Sequence, residues 1–275
     1  MSEAEQDRKS KLTPEVEAFL QRLYRDPRYL LIGKIARYGR DRVSFVEGCT
    51  LVSSMGDVRG QALLNREYEL RGRPDGDRPY GTESLLDYHL SRDRGDPVAL
   101  EEDDLTALQE ESWQYYVRRN FAFLMGDFAQ ARDDAEHNLG IGSLVARSQV
   151  PDARQWSYLK WYPWIERDRA IAQALWDLRH QDTEHAATEL YRAQRSIEHF
   201  GEQHAAQYRE EEGEAEPLCA HLRQHIESLV DILRREAGLP IPLEQQLDQA
   251  AERGDEAEIE RLRAEMIRRA MAEEE

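Results

Sequence analysis

Apolar residues recur every three or four positions along most of the chain beyond residue 100, and this period predicts amphipathic helices. The clearest case is the stretch 105–125, which Gly126 follows as a typical helix-ending residue. Its apolar face consists of Trp113, Tyr116, Val117, Phe121 and Leu124. The same period predicts further helices at 13–25, 128–139, 165–180, 183–210 and 217–237, with Gly140 as the end of the second.

Two apolar runs nearer the N-terminus, YLLIGKIARY and VSFVEGCTLVSSM, are short and continuous rather than periodic. Periodicity alone does not separate helix from strand in such runs. We predict a helix for the first. The second, Val43–Met55, contains enough β-branched residues to leave a strand open as the alternative. Residues 57–70 are predicted to be helical.

Few residues break these elements, since the chain of 275 residues contains only 16 Gly and 10 Pro. The fold class predicted is mainly α, a scaffold of helical hairpins. We expect a mostly helical region with loops over 1–104 and a helical-repeat-like domain over 105–237. The sequence GLPIP then separates a helical hairpin over 243–272.

The formal net charge of −18 makes this an acidic protein and argues against nucleic acid as a partner. The charge is uneven: residues 21–80 contain 12 basic and 8 acidic side chains, whereas residues 201–275 contain 9 basic and 20 acidic ones. Two distant cysteines form no disulfide framework, which predicts a reducing compartment. The polar start of the chain and the lack of a long apolar run favour the cytoplasm, without membrane contact.

A loop rich in Gly, Pro and Asp, RGRPDGDRPYGTES, spans residues 71–84. Its arginines, Arg71, Arg73 and Arg78, form a possible anion-binding group, because guanidinium suits carboxylates and phosphates. The alternative is a solvated connector. We weigh the connector above the site, because exposed charge mostly serves solvation.

Metal and catalytic motifs are weak in this chain. Cys219, His221 and His225 are the best metal candidates, since His221 and His225 lie one helical turn apart. Asp134 and His137, like Asp182 and His185, have a spacing known from di-metal helical bundles, but such pairs are common by chance. No phosphate loop, GxSxG or HExxH is present. We therefore predict no cofactor and no catalytic residue.

The segment 156–176 is the most aromatic part of the chain and has two interpretations. Its large rings are those of Trp156, Tyr158, Trp161, Tyr162, Trp164 and Trp176. They are expected to form core where helices cross, with an aromatic ligand surface as the alternative.

Two helix–turn–helix segments, one around Gly126 and one around Asp182, can be aligned with each other. The first matches at Tyr115, Gly126, Asp127, Phe128, Ala131 and Leu139, and the second at Ala174, Asp182, Ala186 and Ala193. Both resemble tetratricopeptide-type units, which implies a scaffold that binds partners on a concave face. Arg118 and Arg119 depart from that pattern, in which Leu and Gly are usual.

The C-terminal segment carries two short apolar stripes separated by Arg253-Gly254-Asp255. It resembles the UVR motif, the helical hairpin at the C-terminus of bacterial excision-repair proteins. The matching residues are Leu243, Leu247, Ala250, Ala251, Arg261, Leu262, Arg263, Glu265 and Met266, and the departures are Glu256, Glu260 and Ala264. The resemblance implies a protein-docking role over about 30 residues and does not carry over nuclease or repair activity.

These patterns favour an interaction protein, an adaptor or scaffold that binds another protein or itself. The residues predicted to carry the docking are Leu243, Leu247, Ile259, Leu262 and Met266. We expect Leu262→Asp to abolish association while leaving the main domain folded. Two alternatives stay open: a helical metalloprotein or enzyme that uses the aromatic, His-rich segment, and a structural subunit of a larger assembly.

Overall fold

The computed structural model describes residues 12–25, 29–37, 40–52, 58–92, 99–211 and 215–273. It confirms the mainly α fold class. The chain divides into two compact units: an N-terminal unit, Pro14–Ala172, and a C-terminal unit made of Gln173–Glu275 with Met1–Thr13. The three-part domain organisation stays a prediction.

The N-terminal unit contains several helices and one small sheet. Its elements are α1 (Pro14–Tyr24), β1 (Tyr29–Arg37), β2 (Arg40–Val52), β3 (Val58–Glu69), α2 (Leu85–Arg92), α3 (Glu102–Met125), α4 (Phe128–Arg147), α5 (Asp152–Leu159) and the start of α6 (Tyr162–Arg179). The α3–α4 turn follows the sequence closely. Gly126 ends α3 in the left-handed conformation, and Asp127 caps α4 by accepting a hydrogen bond from the amide of Gln130.

Strands β1, β2 and β3 form an antiparallel sheet in the order β1-β2-β3. The helices predicted for YLLIGKIARY and for 57–70 are therefore wrong, and the strand alternative for the second apolar run is the one observed over β2. The reason is tertiary: β2 pairs with β1 on one side and with β3 on the other. Neighbouring strands supply backbone partners that local propensity does not reveal.

The inner face of the sheet packs against α3. Val43 and Phe45 of β2 are buried together with Leu70 and with Val117 and Phe121 of α3. The rings of Phe45 and Phe121 are 4.6 Å apart. Alternate residues of a strand share a face, so one short stretch of β2 provides the core of this contact.

A second cluster joins α2, α3 and α4 through Leu86, Leu108 and Leu144, among others. Helix α4 continues through Gly140 to Arg147, so the predicted stop at this glycine is wrong. A Cβ atom at Gly140 would lie 2.8 Å from Cδ2 of Leu86. The glycine therefore serves close packing of α2 on α4 rather than helix termination.

The C-terminal unit consists of helices that follow the end of α6. They are α7 (Thr183–Gln203), α8 (Ala205–Glu211), α9 (Ala215–Ala237), α10 (Leu243–Arg253) and α11 (Glu256–Glu273). Helices α7 and α9 bury their apolar faces, including Leu190 and Ile197 of α7 and Leu222 and Ile226 of α9. Among the described residues no helix is both long enough and apolar enough to cross a membrane.

Candidate functional site: the C-terminal hairpin

The last two helices, α10 and α11, form the predicted helical hairpin. Helix α10 begins after Pro242 and ends at Gly254, which adopts the left-handed conformation that a tight helix–helix turn requires. Asp255 then begins α11, because its carboxylate accepts a hydrogen bond from the amide of Glu258 at 3.1 Å. Local sequence thus determines the turn and both helix ends.

The five predicted docking residues lie on the two stripes of this hairpin. Leu262 is fully buried, as is Ala250 of α10. The other four, Leu243, Leu247, Ile259 and Met266, are partly buried. Because Leu262 lies inside the unit, Leu262→Asp would disturb the hairpin itself, and a test of docking needs substitutions at exposed positions.

Exposed apolar side chains occur instead near the end of α11. Ile267 is 60% exposed and Met271 is 65% exposed. They lie four residues apart, so they occupy one face of the helix. Helix α11 has 18 residues and α10 has 11, so the last turns of α11 extend past the start of α10. This overhang is the exposed apolar surface of the hairpin.

Helix α11 also contains salt bridges between its own side chains. Arg261 contacts Glu258 at 2.7 Å, and Glu265 contacts both Arg268 and Arg269. The hydrogen bond from Arg261 lowers the pKa of Glu258, and the hydrogen bond from Arg269 lowers the pKa of Glu265. Both carboxylates are therefore ionised near neutral pH, and they support the helix without covering Ile267 or Met271.

The hairpin contacts helix α7 of its own unit through polar groups. The hydroxyl of Tyr191 donates to Asp248, and Arg192 contacts Glu244 at 2.7 Å. Arg195 lies 3.7 Å from Asp248. Burial and the neighbouring Asp248 carboxylate raise the pKa of Tyr191 to about 12, so it stays a hydrogen-bond donor. Arg269 of α11 also contacts Glu184 at the start of α7.

A shallow groove of about 140 Å³ lies beside this contact. Its lining residues come from α7, from α9, from the linker that precedes α10 and from α10 itself. Tyr191, Asp231, Arg234, Leu239 and Pro242 are among its lining residues. The linker is therefore in contact with the helical core of the unit.

The three loop arginines of the predicted anion site each contact acceptors of the chain. Arg71 donates to Gln130 at 2.5 Å, and Arg78 lies 3.5 Å from Glu83. Arg73 is mostly buried, 3.1 Å from Asp75 and 3.5 Å from Glu111. The three guanidiniums thus have different partners, and the anion-binding role stays a prediction.

The metal candidates on α9 lie on different sides of the helix. Cys219 is buried, with its thiol close to Gly201 of α7, and His221 is exposed. The rings of His221 and His225 are 4.2 Å apart. Within the described ranges no group of three His, Cys, Asp or Glu side chains could hold a metal ion. Cys49 lies in a described strand, but its side chain is outside the described set.

The members of the other carboxylate–histidine pairs each contact side chains or backbone amides of the chain. Asp134 binds Arg118, and His137 binds Glu111 at 2.9 Å. Asp182 caps α7 through the amide of His185, whose ring contacts Asp177. The aromatic segment is divided between core and surface: Trp156 is buried, whereas Trp161 is 50% exposed and lies beside Trp164.

A buried charged network in the N-terminal unit was not predicted from the sequence. Arg118 forms two hydrogen bonds with Asp134 and donates to the carbonyls of Glu69 and Gly72. Arg119 contacts Asp168 at 3.0 Å. The sequence did contain an indication of this network, because two adjacent arginines interrupt the tetratricopeptide-like pattern in an otherwise apolar part of α3. Their role is to join α3 to α4, to α6 and to the loop at residues 71–84.

Comparison with known proteins returned no match: no family model, no curated protein and no solved structure is similar to this chain. The resemblances to the UVR motif and to tetratricopeptide units therefore stay predictions.

Proposed function

We propose that this chain is a protein-interaction adaptor or scaffold whose C-terminal hairpin binds another protein or a second copy of the chain. The observation that carries this proposal is the α11 overhang, where Ile267 and Met271 are both more than half exposed. Two large apolar side chains on one helical face favour contact with an apolar surface of a partner. Isolated helices of such length are marginal in water, so they gain stability by packing.

The form of the hairpin also supports protein docking. The polar faces of α10 and α11 carry both acidic and basic residues, and salt bridges within α11 pair several of them. A helical partner can pack its apolar stripe against such a surface. The charged residues at the edge of the surface then determine which partner binds. The UVR-like pattern of this segment is in accord with that role.

The first experiment compares the full chain with a chain ending at Gly238, by light scattering after size exclusion. If the hairpin mediates self-association, we expect the full chain to be an oligomer and the shortened chain a monomer. If the partner is another protein, both have the mass of one chain, and the full chain alone gains mass with that partner.

The second experiment replaces the exposed apolar pair by Ile267→Asp together with Met271→Asp. We expect association to weaken at least tenfold while the helical circular dichroism is retained, because charge replaces apolar contact at exposed positions. Ala257→Asp is the matched control, since Ala257 is also exposed on α11 but lies near its start. Equal association of the double variant and the control would contradict the proposal.

A further inference from the structure

The contact between α7 and α10 is complementary in charge. Helix α7 contributes Arg192 and Arg195, and α10 contributes Glu244 and Asp248. Tyr191 adds a hydrogen bond from its hydroxyl to Asp248. These five residues are called the α7–α10 interface. Opposite charges placed in this way fix the orientation of two helices and exclude wrong partners.

The strength of this interface is limited by exposure. The side chains of Arg192 and Arg195 are 58% and 61% exposed. Ion pairs between exposed groups contribute little to stability, because water and salt screen them. The ion pairs between α7 and α10 are therefore weak contacts that can open without disruption of the buried α7–α9 core.

The chain between α9 and α10 has the features of a hinge. Gly238 ends α9 with a φ of +65°, and a side chain at this position would meet no neighbour within 4 Å. Leu239 and Pro242 follow and are buried. A change of backbone conformation at one exposed glycine would redirect everything after it, and the redirected segment could form the same contacts on an identical chain.

We propose that the hairpin of one chain docks on α7 of a second copy, through the α7–α10 interface formed in trans. The segment exchanged is Leu239–Glu273, with Gly238 as the hinge. Every contact of the closed chain is kept in the exchanged dimer, so the two forms differ only at the hinge. This inference rests on the proposed self-association through the hairpin and adds the surface to which the hairpin binds.

Charge reversal tests the exchange directly in full-length chains. The first chain carries Arg192→Glu and Arg195→Glu, and the second carries Glu244→Arg and Asp248→Arg. Each chain alone has like charges across the interface, both in cis and in trans. An equimolar mixture has two attractive interfaces, but only in an exchanged heterodimer. Light scattering should give monomers for each chain alone and twice the mass of one chain for the mixture.

A chain that carries all four reversals is the matched control. This chain again has opposite charges across the interface, so it should behave as the unmodified chain does. It therefore distinguishes an effect of the interface charges from a loss of folding. Arg192→Cys in one chain and Glu244→Cys in another give a milder test. A short bifunctional maleimide should join the two different chains covalently, because exchange places these positions in contact between chains.

The outcomes separate the two proposals. A dimer in the charge-reversed mixture, with crosslinking between the two cysteine variants, supports the exchange. A monomeric mixture without crosslinking overturns the exchange. If removal of the residues after Gly238 still converts the unmodified oligomer to a monomer, the proposed docking role of the hairpin survives that failure. If the unmodified chain is monomeric with and without these residues, self-association fails as well.

Discussion

Glu111 is a buried residue whose carboxylate connects several elements of the N-terminal unit. Its carboxylate accepts hydrogen bonds from the amides of Leu85 and Leu86 and from the ring of His137. Helix α2 thus has its first amides capped by a residue of α3. Burial alone would raise the pKa of Glu111, but the hydrogen bonds from His137 and from Leu85 and Leu86 lower it overall. The ionised form is the one that the fold stabilises.

We expect Glu111→Gln to destabilise the protein by about 2–3 kcal/mol at pH 7, because it removes one charge from a buried network. Urea unfolding followed by circular dichroism measures this. Glu110→Gln is the control, since Glu110 is the exposed neighbour on the same helix. Equal unfolding midpoints for the two variants would contradict the role given to Glu111.

The difference in stability between the unmodified chain and Glu111→Gln depends on pH, because the pKa of Glu111 is lowered in the folded state. A carboxylate whose pKa is lower in the folded state adds stability above its unfolded pKa of about 4.3, and that stability is lost as pH falls through the folded value. The difference between the unmodified chain and Glu111→Gln should therefore be full at pH 7 and shrink below about pH 4.

Two glycines within helix α4 have different surroundings, and the sequence alone does not distinguish their roles. Gly140 faces Leu86 of α2, with 2.8 Å between a hypothetical Cβ atom and Cδ2. Gly142, two residues further along the helix, would have no neighbour within 4 Å of such an atom. Both lie within the helix, where alanine is preferred to glycine.

We expect Gly142→Ala to raise the free energy of unfolding by up to about 1 kcal/mol, through helix propensity. Gly140→Ala should gain none of this, because Leu86 is buried and its displacement costs packing energy. Thermal or urea unfolding of the two variants provides the comparison. A similar gain at both positions would show that α2 moves freely away from α4.

The whole molecule combines two kinds of electrostatic contact. In the N-terminal unit, the Arg118–Asp134 pair is almost fully buried. Burial raises the pKa of Asp134, although Arg118 and Gln130 act in the opposite direction. In the C-terminal unit, the ion pairs at the α7–α10 interface involve exposed arginines. Salt screens the second kind far more than the first.

We therefore expect high salt to release the hairpin while α3 and α4 stay protected. Hydrogen exchange of the full chain at about 0.05 and 1 M sodium chloride would test this, because the screening length shortens several-fold over that range. Protection of amides in α10 and α11 should fall, and that of amides in α3 should not. Unchanged protection of α10 and α11 at high salt would indicate that the hairpin is held by apolar packing instead.

The sequence by itself determined the mainly α class, the turn at Gly126 and Asp127, and the hairpin with its stop at Gly254. These features depend on apolar period, capping side chains and left-handed glycine, which act between residues close in the chain. The position of the two apolar stripes of the hairpin followed from the same period. The exposure of the individual side chains on these stripes did not follow from this period.

Tertiary structure alone decided the sheet, the passage of α4 through Gly140 and the buried charges. Strands β1 and β3 exist because β2 lies between them. The sequence of an apolar run does not indicate which strands will pair with it. Arg118 and Arg119 lie in the interior because carboxylates from α4 and α6 reach them. Burial of Leu262 and exposure of Ile267 likewise depend on which helices pack together, a long-range property of the folded chain.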